Sequence, residues 1–212
     1  MYEFVARSPY LLRRILEHRF IRLEGGEFWS KSLRRMYKEA YNIEIGIGSY
    51  GCFNYHRFPS GTVIGNYCSF AGATYFLPRN HPLGYASQHP MFFNEKLGYI
   101  EVSPVEYAHL HVSDDVWVGQ GALICHNCTE IGRGAIIGAG SVVTRNVEPY
   151  SIVAGNPAHV IRYRFDRETI ELLEKSEWWY LPPEVLKNCC DVIHNPLKFV
   201  EKIEKFKGNI YE

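Results

Sequence analysis

The chain lacks an excess of charge of either sign: Lys plus Arg total 23 and Asp plus Glu total 23 across 212 residues. Nonspecific binding to nucleic acid is driven by net positive charge, so no nucleic-acid partner is expected. There is also no continuous apolar run near the roughly 20 residues of a bilayer-spanning helix, and the first residues lack the apolar centre of a signal peptide. A cytoplasmic protein is expected. Cys52, Cys68, Cys125, Cys128, Cys189 and Cys190 do not make the framework that staples small secreted domains, because a chain with 46% hydrophobic residues can bury one sizeable core unaided. They read as free thiols.

The middle of the chain lacks both common periods. Helices place apolar residues every three to four positions and half-buried strands every two. Over 112–155 a branched aliphatic instead recurs about every sixth position, at Val112, Val118 and Ile124, then at Ile131, Ile137 and Val143. Gly119, Gly132 and Gly138 follow three of them, and Gly121, Gly134, Gly140 and Ser141 fall where the chain must turn. Such a unit is a short strand plus a corner. Three units make one triangular turn of a parallel β-helix, whose aliphatics point inward and stack on their equivalents in the turns above and below. Between Ile124 and Ile131 one extra residue has to be absorbed, around Cys128-Thr129-Glu130. The competing reading, a Val/Ile/Gly-rich β-sandwich, calls for alternation with period two. Upstream the same phase begins raggedly at Ile43 and Ile47-Gly48, then continues at Phe58, Ile64, Phe70 and Phe76.

With the repeat in view, Val116-Trp117-Val118-Gly119, Ile137-Gly138-Ala139-Gly140-Ser141-Val142-Val143-Thr144 and Gly155-Asn156-Pro157-Ala158 resemble the signature of the hexapeptide-repeat acyltransferases. The resemblance runs over about 43–165 and implies a left-handed parallel β-helix, a homotrimer with active sites between subunits, and acetyl-CoA or another acyl-CoA as co-substrate. Asn80-His81-Pro82 and Ser87-Gln88-His89-Pro90 are most similar to the xenobiotic acetyltransferase-like subgroup, which mixes antibiotic-inactivating enzymes with sugar and polysaccharide O-acetyltransferases.

The rest of the chain reads as helical appendages. A helix is expected after Ser8-Pro9, with Leu12, Ile15, Leu16, Phe20 and Leu23 on its apolar stripe and Gly25-Gly26 at its end. Its basic face (Arg13, Arg14, Arg19, Arg22) suits a solvated surface, with peripheral contact to an anionic membrane as the alternative. A second stripe runs through Leu33, Met36, Tyr37, Ala40 and Tyr41. Further on, Asp166 reads as a helix cap, Trp178-Trp179-Tyr180 with Pro182-Pro183 as a break, and 198–207 as a solvated helix. The expected organisation is a helical extension over 1–42, the β-helix over 43–165 with a loop excursion at 77–111, and a helical extension over 166–212. An aromatic-rich excursion of that length should pack, most naturally against a neighbouring subunit.

Acetyl transfer from a thioester to a hydroxyl needs a base, donors for the developing oxyanion, and a slot for the pantetheine arm. A histidine has the right unperturbed pKa for the base. From the residues alone a loop histidine beside proline is more often structural; the resemblance makes His81 the catalytic base. It also implies that Gln120, Ala139 and Gly140 line the pantetheine arm, that Thr144 and Arg145 approach the adenine and phosphate end, and that His159 and Arg162 lie near the nucleotide. Arg145 stands where the family commonly has lysine and keeps the charge, whereas His159 stands where lysine or arginine is usual. The expected acceptor wall is Asn80, Tyr85, Met91, Phe92, Phe93 and Asn94. No metal is expected: His109-Leu110-His111 has no accompanying ligand set, and Cys125-His126-Asn127-Cys128 falls on a corner of the repeat. The expected function is O-acetylation of a sugar or cell-surface polysaccharide or its precursor, with antibiotic (chloramphenicol or streptogramin) inactivation as the enzyme alternative and a trimeric scaffold or sugar-binding module as the non-enzyme alternative.

Overall fold

A computed structural model describes residues 10–211, so the Ser8-Pro9 cap lies outside the described residues. The hexads fold as expected from their period. Among the described residues twelve strands form three sheets, and between β2 and β11 successive strands lie in different sheets. One face holds β1 (Glu44–Ile45), β2 (Val63–Ile64), β5 (His111–Val112) and β8 (Glu130–Ile131). A second holds β3 (Ser69–Phe70), β6 (Trp117–Val118), β9 (Ile136–Ile137), β11 (Ser151–Gly155) and β12 (Ala158–Tyr163). The third holds β4 (Tyr75–Phe76), β7 (Leu123–Ile124) and β10 (Val142–Val143).

Parallel register converts the sequence period into columns. Ile45, Ile64, Val112 and Ile131 stack on the first face, Phe70, Val118, Ile137 and Val153 on the second, and Phe76, Ile124 and Val143 on the third. All are buried. Each contributes about 1.5–3 kcal/mol by leaving water, and only because the turns above and below cover it.

A second buried column of small side chains fills the corners: Thr62, Cys68, Thr74, Ala122, Cys128, Ala135, Ser141 and Ser151. Its hydroxyls cost little to bury because each donates to the carbonyl three residues back: Thr62 to Pro59 (2.7 Å), Thr74 to Ala71 (3.0 Å), Ser141 to Gly138 (2.7 Å) and Ser151 to Glu148 (2.7 Å). The extra residue before Ile131 is taken up in a turn at His126-Asn127, and Asn146 Oδ1 accepts from the Thr129 and Glu130 amides.

Helices close both ends. Helix α1 (Tyr10–Leu23) is followed by Gly25 and Gly26 with left-handed φ, and α2 (Lys31–Tyr41) is capped by the Ser30 hydroxyl on the Leu33 amide. Leu33, Met36 and Tyr37 seal the first turn of the coil as their spacing predicts. The α1 stripe is narrower than its sequence suggests: Leu16, Phe20 and Ile21 pack on the core, whereas Leu12, Ile15 and Leu23 are exposed, because only one side of the helix reaches α2 and the coil.

At the other end the chain folds back on the coil before its helices begin. β12 returns antiparallel along β11 and so extends the second sheet beyond its last parallel strand. Asp166 then caps α3 (Arg167–Ser176) through the Thr169 amide (2.8 Å), and α4 (Pro183–Leu186) starts after the Trp178-Trp179-Tyr180 break. The Lys/Glu-rich end is not merely solvated. It is α5 (Pro196–Tyr211), and its Phe199, Val200 and Ile203 are buried with Tyr150, Leu173 and Cys189 in a second core.

Candidate active site

The six-residue period stops between β4 and β5 because this segment leaves the coil as one long loop. Its limbs are clamped at the base, where Leu77 N–H donates to the Ile124 carbonyl (2.8 Å) and Ala108 N–H to the Pro78 carbonyl (2.7 Å). Two single-turn helices, Pro90–Phe92 and Glu95–Leu97, stiffen the tip, capped by the side chains of His89 and Asn94.

His81 is exposed on the first limb. Its backbone N–H donates to Asn80 Oδ1 (2.9 Å), and its ring lies 4.8 Å from that of Phe93, tilted by 58°. Phe93 is the buried anchor of the loop, at 8% exposure, and the Ser103 hydroxyl holds its carbonyl (2.6 Å). Around this pair a cleft of about 350 Å³ is lined by Leu77, Pro78, Arg79, Asn80, His81, Pro90, Phe93, Asn94 and Val105. Four of the expected residues thus come together: Asn80, His81, Phe93 and Asn94. Tyr85 and Phe92 lie exposed elsewhere on the loop, and Met91 is half-buried; none of the three lines the cleft. Sequence reasoning missed Arg79 and Val105. Arg79 could have been noticed as a permanent cation directly before Asn80-His81.

Of the expected cofactor residues, Gln120, Ala139, Gly140, Thr144 and Arg145 fall on two edges of the β4–β7–β10 face, whereas His159 and Arg162 lie on β12 of the second face. On the edge where the chain enters the face, the Gln120 carbonyl accepts from Gly140 N–H (2.8 Å) and the Gly72 carbonyl from Gly121 N–H (3.1 Å). Ala139 is exposed, and Cβ atoms at Gly121 or Gly140 would meet nothing within 4 Å, which leaves a strip of open backbone. Both glycines have left-handed φ, so a side chain there would be strained as well as obstructive. Val153 accepts from Gly138 N–H just below, and His159 lies exposed on β12 opposite Ala154, with Arg162 opposite Ile152. On the far edge, Thr144 and Arg145 follow β10, beneath the point where the His81 loop departs.

Cys68 and Cys128 fill corners of the coil. Burial pushes the thiols of Cys68 and Cys128 up to about 12, and Cys68 Sγ donates to the Ser113 carbonyl (3.1 Å), so neither is a thiolate at neutral pH. Among the described residues no three His, Cys, Asp or Glu side chains converge as a metal site, and none of the described helices is long and apolar enough to cross a membrane.

Known proteins include relatives of this chain. No protein-family model matches the chain. It is 40% identical over 131 residues to a chloramphenicol acetyltransferase of Agrobacterium fabrum, a match covering 59% of this chain and 62% of that protein, less than two thirds of its length. It is 35% identical over 173 residues to a chloramphenicol acetyltransferase of Klebsiella aerogenes, covering 69% of this chain and 79% of that one. Among solved structures, a maltose O-acetyltransferase from Clostridium difficile 630 matches with 25% identity and a TM-score of 0.44 over 60% of this chain and 62% of its own.

Proposed function

Because the chain belongs to the hexapeptide-repeat acyltransferases, enzymes that draw their acetyl group from acetyl-CoA, we propose that it acetylates a hydroxyl of a saccharide, with His81 as the general base. The observation that carries this reading is the cleft at His81. It is lined by the exposed imidazole of His81, the buried ring of Phe93 beside it, and Asn80 and Asn94. Apolar ring faces beside amide groups suit a polyhydroxylated ring, which offers C–H faces for stacking and hydroxyls for hydrogen bonding.

His81 takes the proton of the acceptor hydroxyl as its oxygen attacks the thioester carbonyl, and returns the proton to the departing thiolate once the C–S bond has broken. A backbone N–H holds the oxyanion. The thioester supplies an activated acetyl group. Gln120, Ala139 and Gly140 offer exposed backbone to the pantetheine arm, and the open space at the Gly121 and Gly140 corners is what such an arm requires. Thr144, Arg145, His159 and Arg162 are proposed to meet the nucleotide end.

A homotrimer is part of this proposal. The glycine strip and the His81 loop lie on opposite edges of one face, so neighbouring copies can complete the site by setting the loop edge of one against the glycine edge of the next. The loop also exposes Leu83, Tyr99 and Val102 at 82%, 71% and 80%, an apolar surface suited to a second copy.

The names of the relatives favour a second reading, in which the acceptor is chloramphenicol or a similar antibiotic. Both readings are tested by thiol release from acetyl-CoA across saccharides, chloramphenicol and a streptogramin, with His81→Ala alongside. Saccharide-stimulated release that drops about 10²–10⁴-fold in kcat in the variant, with KM for acetyl-CoA nearly unchanged, is the expected outcome. Drug-stimulated release would replace the saccharide by an antibiotic, and normal turnover in the variant would remove His81 from the mechanism.

A further inference from the structure

The acceptor cleft carries a permanent positive charge and no negative one. Arg79 lines it two residues before His81, with its guanidinium held 4.9 Å from the ring centroid of Tyr107 on the returning limb of the loop. None of the other residues lining the cleft is acidic. The imbalance extends along the chain: between Glu44 and Glu95 there is not one Asp or Glu. The two arginines of that stretch differ. Arg57 spends its donors on the Thr74 (2.7 Å) and Ala71 (3.1 Å) carbonyls inside the fold, whereas Arg79 has an aromatic face beneath it and no ion pair to any described carboxylate. The acids of the loop, Glu95 at its tip and Glu101 and Glu106 on the returning limb, are all exposed and make no ion pair with it.

We propose that Arg79 selects an acceptor that carries an anion, a uronic-acid or phosphorylated saccharide, by pairing with its carboxylate or phosphate while His81 addresses a neighbouring hydroxyl. Stacking on Tyr107 pre-orients the planar guanidinium and leaves its N–H edge for two parallel hydrogen bonds, the geometry in which arginine binds carboxylate and phosphate best. The inference rests on the saccharide reading of the cleft and narrows it.

The test compares kcat/KM of the full-length protein for matched acceptors: glucuronic acid and glucose 6-phosphate against glucose, and an acidic against a neutral oligosaccharide. It is run on wild type, Arg79→Gln, Arg79→Lys and His81→Ala, with KM for acetyl-CoA measured in each. Wild type is expected to prefer the charged member of a pair, and Arg79→Gln to lose roughly 10- to 100-fold of that preference. Arg79→Lys should recover part of it, and added salt should erode it. The carboxylate and phosphate arms tell which anion is read. A wild type indifferent to acceptor charge overturns the proposal, as does an Arg79→Gln defect confined to KM for acetyl-CoA, which would give Arg79 to the donor's phosphates. In either case a saccharide activity abolished in His81→Ala leaves the broader reading standing. Full activity in His81→Ala fails that reading whatever Arg79 does.

Discussion

The guanidinium carbon of Arg133 lies 4.0 Å from the ring centroid of Trp179, and the same side chain bonds Asp114 of the coil and Glu174 of α3. Trp179 is 1% exposed, so one arginine from a β-helix corner ties the C-terminal helices to the prism. Desolvation and the two carboxylates act on Arg133 in opposite directions, and the carboxylates win: its pKa is raised. Arg133→Ala would leave the largely buried Asp114 without its cation and Trp179 without its cover. A loss of about 2–4 kcal/mol is expected in denaturant unfolding. Arg133→Met, which restores cover over the ring without charge, should recover part of it.

Ile137 sits between Val118 and Val153 in one column, fully buried. Ile137→Ala should cost about 2–5 kcal/mol and Ile137→Val about 0.5–1.5 kcal/mol, because the neighbouring turns are tied by parallel backbone hydrogen bonds and cannot collapse into the void. Thermal or urea denaturation of the pair reads the difference. Equal losses would mean that the turns can close up.

Ala139 offers a separation of folding from donor binding. Its side chain points away from the buried columns onto the open strip, so Ala139→Trp should leave the β-sheet circular-dichroism signal of the coil unchanged while KM for acetyl-CoA rises at least about tenfold. Unaltered acetyl-CoA kinetics would move the pantetheine arm away from this corner.

Asp115 is held by Arg164 Nη1 at 2.8 Å, yet burial still raises its carboxyl above the usual carboxylate range. A raised carboxyl binds its proton more tightly in the folded chain than in the unfolded one. The stability it contributes is therefore full below the unfolded pKa and is lost as pH rises through the folded value. Asp115→Asn has no such proton and suits the left-handed φ of 57° at this position. The Tm of Asp115→Asn relative to wild type should climb as pH rises above the ordinary carboxylate value of about 4. A difference that falls as pH rises would show that the pair with Arg164 outweighs burial.

The coil was legible because its physics is local. Each hexad carries its own inward aliphatic and its own corner, and parallel stacking then follows from repetition, so Val112, Val118, Ile124, Ile131, Ile137 and Val143 could be assigned to the core without coordinates. The helix α5 was misjudged for the opposite reason. Phe199, Val200 and Ile203 sit in a run dominated by Lys and Glu, and their burial depends on Tyr150 and Leu173, which approach them only after β12 has folded back on β11.

Sequence by itself determined the coil, its inward columns and the free cysteines, since a six-residue period and corner glycines are properties of neighbouring residues, whereas His81 stood out only through the likeness of its Asn-His loop to a known family. Tertiary structure alone decided which loop residues share a cleft with His81. Phe93 and Asn94 reach it while Tyr85, Met91 and Phe92 do not, and Arg79 is pinned there by Tyr107 from a limb 28 positions further along. The physical reason is that a long loop has no period. Its side chains acquire neighbours only when its two limbs close on each other, at Pro78 and Ala108, over the end of the prism.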